Sequence, residues 1–425
     1  MPWFDTKMSR RKFLKLAGSG IAIVVLGGTV WRAFSNGVFS SGQGPAYEPW
    51  KDWKTESEEG TGPLSLVASA ILAANAHNTQ PWLFVVKPYR IDLIADTKRN
   101  IGAIDPYLRE MYEGLGCALE NLVLAAEAKG YTYNLKLIPN PTSKTHVANI
   151  NLVTNTNTKS NHSRIGNTTS TNSSNSSDLS EPLSLYNAIP HRHTNRGPYD
   201  KNKPVTQDIL QSLGSLGKTI SPEGAMTVFW FTTLEERRKV GDLILQATQA
   251  IVADKQQSYD DFKWYRASWQ DIQTYKDGLT VDASGSPWYI EVLAKILPPI
   301  SEKEYDNSQL QLAKDTYVAT AAAFGIIAVH DIFDNIQRLQ GGMFYQRMHL
   351  WATSNGLAMQ PMNQMTERAD REVSLGIKQT FRNALMELIA NPNWQALMTF
   401  RIGYPTMEAL SSPRRSIQEV VFSSV

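Results

Sequence analysis

The chain has 425 residues, 42% of them hydrophobic and 19% charged, with 42 basic against 40 acidic side chains and a formal charge of +2. That near-balance argues against a nucleic-acid footprint, and the single cysteine, Cys117, excludes an internal disulfide. A packed core must hold the fold, and the length suits two core-forming units.

The first residues carry the sharpest signal. Ser9-Arg10-Arg11-Lys12-Phe13-Leu14-Lys15 is a twin-arginine export motif, and a largely apolar run from Leu16 to Trp31 follows it. Residues 1–35 read as a targeting segment for export in the folded state, through the twin-arginine translocation machinery. Ala33-Phe34-Ser35 is a poor cleavage site beside Trp31 and Arg32, so a retained N-terminal membrane anchor stays open. The apolar run is shorter than the ~20 residues of a comfortable span. Removing the segment takes away six basic residues and Asp5 and leaves 36 basic and 39 acidic residues, a formal −3.

Residues 36–62, rich in Gly, Ser, Pro and Glu, read as a linker. Pro63 opens a helix that the pattern carries to about Ala76. The loop His77–Trp82 leads into a strand over Leu83–Val86, with a hairpin partner over Arg90–Ala95. A long helix is predicted from Pro106 to Lys129, then strands over Tyr131–Ile138 and Val147–Val153. Residues 155–182 are mostly Asn, Ser and Thr and read as a flexible low-complexity insertion between a first half, 63–154, and a second half, 183–425. In the second half, Val205–Leu216 reads as helix, Met226–Thr233 as strand and Leu234–Asp254 as helix. Ala323–Val329 is either strand or buried helix. Asn335–Asn355 is a helix and Leu397–Ile402 a last strand. The two long helices share one pattern, Gly116-x-x-x-Glu120-Asn121-Leu122-x-Leu124-x-Ala126 and Gly342-x-x-x-Gln346-Arg347-Met348-x-Leu350-x-Ala352, each closed by a glycine. The repeat suggests a duplication.

There is no Gly-rich phosphate loop, no nucleophile elbow and no metal-ligand spacing among the histidines beyond the isolated His191 and His193. Three polar clusters stand out instead. Asn78-Thr79-Gln80-Pro81-Trp82 offers paired donors and acceptors for the edge of a planar heterocycle, beside an aromatic wall. Arg192-His193-Thr194-Asn195-Arg196 brackets a hydroxyl with two guanidinium groups, which suits a phosphate. The third cluster is Arg401 in the last strand and, after a turn, the pair Arg414-Arg415, which could close the same pocket.

Together these segments resemble the flavin-binding nitroreductase family, and in particular its exported Acg-like branch. The resemblance covers most of residues 63–420. It implies an α+β, nitroreductase-like fold of mostly antiparallel sheets flanked by helices. It implies FMN as cofactor, with Asn78, Gln80 and Trp82 at the ring and Arg192, His193, Thr194 and Arg196 at the phosphate. Arg414 and Arg415 would add phosphate contacts, and Gln360, Pro361 and Met362 would lie along the isoalloxazine. In the family two subunits share each FMN. Here the Asn-x-Gln-Pro-Trp loop occurs only in the first half and the arginine grip only in the second. The expectation is a monomer built as a single-chain pseudo-dimer of two fused halves, with one surviving FMN site.

The resemblance implies an FMN-dependent oxidoreductase passing hydride through flavin to a small electron-poor acceptor, with no catalytic side chain required and no metal. Two alternatives stand beside it: an FMN-sequestering protein without turnover, its flavin covered by a lid around Trp264–Trp288, and a cofactor-free binding protein of the cell envelope.

Overall fold

A computed structural model describes residue 33 and residues 37–153 and 180–422. The export motif, its apolar run and all but the last three residues of the low-complexity insertion lie outside the described residues.

Pro63–Ala70 forms α1, shorter than the apolar pattern predicted because the chain turns at Ile71 to enter the His77–Trp82 loop. Strands β1 (Trp82–Lys87), β2 (Arg90–Ala95), β3 (Thr132–Leu137) and β4 (His146–Val153) build the first sheet, with α2 (Arg109–Ala128) between β2 and β3. The sheet runs β1-β2-β4-β3 with antiparallel pairing throughout. Outside β1 it gains one parallel edge strand, the C-terminal β9 (Val421–Phe422). The end of the chain therefore belongs to the first sheet, not to the second half in which the sequence reading placed it.

The second half opens with α3 (Ser180–Ala188) and α4 (Gln207–Ser215). Its sheet has the order β5-β6-β8-β7 and is antiparallel, made of β5 (Met226–Phe231), β6 (Ala323–Val329), β7 (Ala358–Pro361) and β8 (Gln395–Gly403). The ambiguous apolar run is thus strand β6, buried at every position, as a central strand covered on both faces requires. Helices α5 (Leu234–Ala253), α6 (Lys255–Phe262), α7 (Trp269–Tyr275), α8 (Trp288–Ile296) and α9 (Glu302–Leu312) separate β5 from β6.

Helix α10 (Asn335–Ser354) packs against α2, and both are buried around most of their circumference. Polar residues that match in the two-helix repeat bond reciprocally. Gln346 Nε2 donates to Asn121 Oδ1 at 2.8 Å, and Arg347 Nε donates to Glu120 Oε1 at 2.6 Å. The first position of each dipeptide meets the second position of the other, as a two-fold relation between the helices demands.

The segment read as a linker is instead folded onto the body. Short helical turns at Pro45–Tyr47, Glu48–Lys51 and Lys54–Glu58 bury Ala46, Tyr47 and Trp53. The Trp53 indole donates to Ser69 Oγ at 3.1 Å, and the Ala46 carbonyl accepts from Arg414 N at 2.7 Å. Its four aromatic side chains, not its Gly and Ser content, decide its state.

Candidate functional site

The loop between α1 and β1 holds three non-glycine residues, His77, Asn78 and Gln80, at φ of 48°, 55° and 53°. Each such backbone costs about 1 kcal/mol or more and persists only where its surroundings fix it. Here Asn75 Oδ1 accepts from Gln80 N at 2.8 Å, and Asn78 Nδ2 donates to Pro413 O at 2.9 Å. The loop is thereby clamped to the C-terminal segment.

That clamp brings together residues far apart in sequence. A small chamber of about 30 Å³ is lined by Trp50, Asn78, Arg192, His193, Thr194, Arg196 and Arg414, and by no acidic residue. Arg192 and Arg414 are buried, at 2% and 3% exposure. Among the described residues their guanidinium groups reach only neutral acceptors: Leu72 O at 3.0 Å and His349 Nδ1 at 3.4 Å for Arg192, and Ala73 O at 3.1 Å and Pro413 O at 2.9 Å for Arg414, which also meets Asn78 Oδ1. Both Nε atoms lack a partner. Burial pushes both guanidinium groups below their ordinary pKa, and for Arg414 the nearby Arg192 adds to it. Burial, then Arg192 and Arg414, push His193 down to about 3, so its ring is neutral. Trp50 stands over Arg414 at 5.0 Å and packs edge-on against His193 at 4.6 Å. Two buried cations without a counter-ion need an anion, and a phosphate meets that need.

A larger chamber of about 170 Å³ adjoins the first and shares Ala74, Asn75, Thr194, Arg196 and Leu279 with it. Its character is opposite. Glu110 and Glu113 of α2, Glu367 and Asp261 line it, with Tyr345 of α10 and Gln360 and Pro361 of β7. The Tyr345 hydroxyl and one oxygen each of Glu110 and Glu113 are buried without a partner. Burial first, then the charge of Glu110, raises Glu113 and Glu367 well above the usual carboxylate range; the same two causes lift Asp105 behind them to about 7.

The Trp- and Tyr-rich stretch around Trp264–Trp288 adds Leu279 to this lining, and the helices on either side of it, α6 and α9, add Asp261 and Tyr305. His77 Nε2 meets Asp261 Oδ1 at 2.6 Å, and Tyr305 Oη donates to the same oxygen at 3.2 Å. Gln80 Nε2 donates to Lys276 O at 2.7 Å, and Gly278 N to Asn78 O at 3.3 Å. Asp277 is held by Arg99 at 2.9 Å and Arg266 at 2.7 Å.

Of the twelve residues singled out from sequence, Asn78, Arg192, His193, Thr194, Arg196, Arg414, Gln360 and Pro361 line the two chambers. Four do not. Trp82 shares the inward face of β1 with Phe84 and sits in the core, because side chains two apart on a strand point the same way. Met362 lies just past the end of β7 and is buried in the apolar cluster that holds Phe324 and Met365. Gln80 is fully buried and accepts from Arg415 N at 2.8 Å, while Arg415 reaches Trp82 O at 3.1 Å. These two brace the loop and do not face the cavity. Arg401 is likewise a brace: it donates to Gln360 Oε1 and Gly197 O, both at 2.7 Å, under Tyr199. Trp50, Glu110, Glu113 and Tyr345 were missed. The i, i+3, i+7 spacing of Glu110, Glu113 and Cys117 on one helix face was the available signal.

Residues 189–404 match the family model described as the nitroreductase family. The chain belongs to the nitroreductase family. It is 22% identical over 360 residues, 84% of this chain and 90% of the relative, to a Mycobacterium tuberculosis protein named as an NAD(P)H nitroreductase, Rv3131. A second relative from that organism, the NAD(P)H nitroreductase acg, is 34% identical over 83 residues, 20% of this chain and 25% of its own. Among solved structures, the chain is similar to the FMN-dependent nitroreductase NfnB of Mycobacterium smegmatis, with 14% identity, a TM-score of 0.33, and 58% of this chain and 100% of that one covered. It is also similar to the FMN and NADPH-dependent nitroreductase NfnB of a Sphingopyxis strain, with 15% identity, a TM-score of 0.36, and 57% and 99% covered.

Proposed function

We propose that the chain binds one FMN across its two halves and works as an FMN-dependent oxidoreductase of nitroreductase type. The observation that carries this is the convergence of Arg192 and Arg414, both buried and neither facing a carboxylate, on one small chamber beside Thr194 and Asn78. The reading makes the chain a single-chain pseudo-dimer with α2 and α10 at its centre, supported by their reciprocal polar pairs. Export through the twin-arginine route, after the cofactor is bound, belongs to the same reading and rests on Ser9–Lys15.

Bound FMN supplies the electron-transfer chemistry. The residues of this chain do the rest. Arg192, Arg414 and Thr194 would hold the phosphate by charge-assisted bonds. Trp50 covers that end, and the Gln80–Arg415 brace keeps the strained loop in place. Glu113 and Glu367, raised above the usual carboxylate range by burial and by Glu110, stand in the larger chamber where a second ligand would lie. A small electron-poor acceptor is the substrate class that this reading takes from the family.

The visible spectrum of the purified full chain tests it. A flavin spectrum, or one acquired on adding FMN, is expected; a colourless protein that ignores FMN would leave the cofactor-free envelope reading instead. The bonds from Gln80 Nε2 to Lys276 O and from Gly278 N to Asn78 O favour a second reading, flavin storage under a closed lid. NADPH oxidation with a nitroaromatic or quinone acceptor separates the two.

A further inference from the structure

Helix α8 is inside out. Its charged residues Glu291 and Lys295 face the body, at 6% and 4% exposure, and Lys295 Nζ meets Asp282 Oδ1 at 2.6 Å. Tyr289, Ile290 and Leu293, spaced i, i+1, i+4, form its outer face and are 48%, 42% and 49% exposed. An apolar helical face turned outward while an ion pair is buried beneath it marks a surface made for something other than water. The position of α8 says what. Its Val292 packs with Ala33 and Val38 in one small apolar cluster that Trp288 and Ile296 join. Ala33 stands two residues after the apolar run Leu16–Trp31. The chain therefore enters its folded body against α8, so a bilayer that takes up the run is brought to this helix. Trp288 and Tyr289, with apolar rings and polar tips, suit the headgroup level.

We propose that the outer face of α8 lies in the membrane–water interface, a second lipid contact next to the N-terminal apolar run. Residues at Tyr289, Ile290 and Leu293 then enter the boundary between headgroups and acyl chains to a depth of about 5–10 Å. The run and the helix act as two weak anchors that hold the body against the bilayer in one orientation.

A nitroxide at Leu293→Cys in the full chain tests this, since the native Cys117 is buried and escapes labelling. Tyr289→Cys is the second label position, and Met386→Cys, at a site 53% exposed on the helix Thr380–Ile389, is the control. The probe is vesicles of phosphatidylethanolamine and phosphatidylglycerol. On vesicles, the ratio of oxygen to water-soluble nickel collisions at positions 289 and 293 should rise about tenfold, while position 386 stays at its aqueous value. Water-exposed labels at 289 and 293 on vesicle-bound chain would overturn the proposal, as would a chain that never pellets with the vesicles. Labels shielded without lipid would overturn it too: dilution-independent shielding means the N-terminal run folds back over α8, and dilution-dependent shielding means a second copy covers it.

Discussion

Gly116 and Gly342 meet where α2 crosses α10, and neither position has room for a side chain. A Cβ on Gly116 would overlap the Leu339 carbonyl oxygen and stand 3.0 Å from Gly342 Cα; one on Gly342 would overlap the Glu113 carbonyl oxygen. Leu339 holds in α10 the place that Glu113 holds in α2, so the two clashes are mirror copies of each other. The close crossing fixes where Glu113 and Cys117 of one helix and Tyr345 of the other face the cavity.

Gly116→Ala and Gly342→Ala should each destabilise the fold by about 1–3 kcal/mol, since backbone rather than a flexible side chain must move. This outweighs the gain of about 1 kcal/mol in helix propensity that alanine brings. Thermal unfolding checks it, and a rise in midpoint for either variant would argue against the tight crossing.

Arg192→Ala and Arg414→Ala should each weaken FMN by about 10–100-fold, the worth of one charged hydrogen bond of about 1.5–3 kcal/mol. Riboflavin, which lacks the phosphate, should bind wild type and variants alike. Equal losses for both ligands in a flavin titration would place the arginines away from the phosphate.

The carboxyl groups of the larger chamber set a pH dependence with a definite sign. Asp105, Glu113 and Glu367 have raised pKa values in the folded state, so their contribution is complete below the unfolded values near 4 and is lost as pH rises. For Asp105 the loss runs from about pH 4 to about 7. His77 acts in the same sense. Burial lowers its pKa, but the bond and charge of Asp261 outweigh burial and leave it raised. Its tie to Asp261, near the end of α6 where the insertion begins, holds below about pH 6.5 and weakens as pH climbs through the folded value. Unfolding midpoints should fall between pH 5 and pH 8, and Glu113→Gln should flatten that slope. Amide exchange over residues 264–280 should quicken with pH beyond the intrinsic rate, and His77→Asn should remove the excess.

Gln80→Ala should act on the loop rather than on the ligand directly. It strands Arg415 N and Lys276 O, at about 1–3 kcal/mol for buried groups left unpaired. Stability should fall and limited proteolysis of the C-terminal segment should speed up. A normal proteolysis pattern with lost FMN affinity would make Gln80 a direct ligand instead.

Much of this was legible in the sequence because it is local. Short runs rich in apolar and β-branched residues marked β1, β2 and β4 nearly to the residue, and the matched Gly-x-x-x patterns marked the helices that cross. The arginines of 192–196 and Arg414 stood out as a candidate anion grip because charge-assisted binding needs such side chains close together, and the fold brings Arg192, Arg196 and Arg414 to one chamber. What could not be read was facing. Trp82 points from β1 into the core, and Met362, just past β7, packs with Phe324 and Met365 although Gln360 and Pro361 before it line the cavity. Glu110 and Glu113 carry no mark in the local sequence of the cavity that the fold builds around them. Trp50 lay in a segment whose Gly- and Ser-rich composition hid the aromatic residue that reaches the smaller chamber.

The stoichiometry of bound flavin bears most directly on the account. Full-length chain saturated with FMN, freed of excess and measured for flavin absorbance against protein concentration, should give a ratio near one per chain. A ratio near two would mean both ancestral sites survive, and a ratio near zero would contradict the pairing of Arg192 and Arg414 on a phosphate.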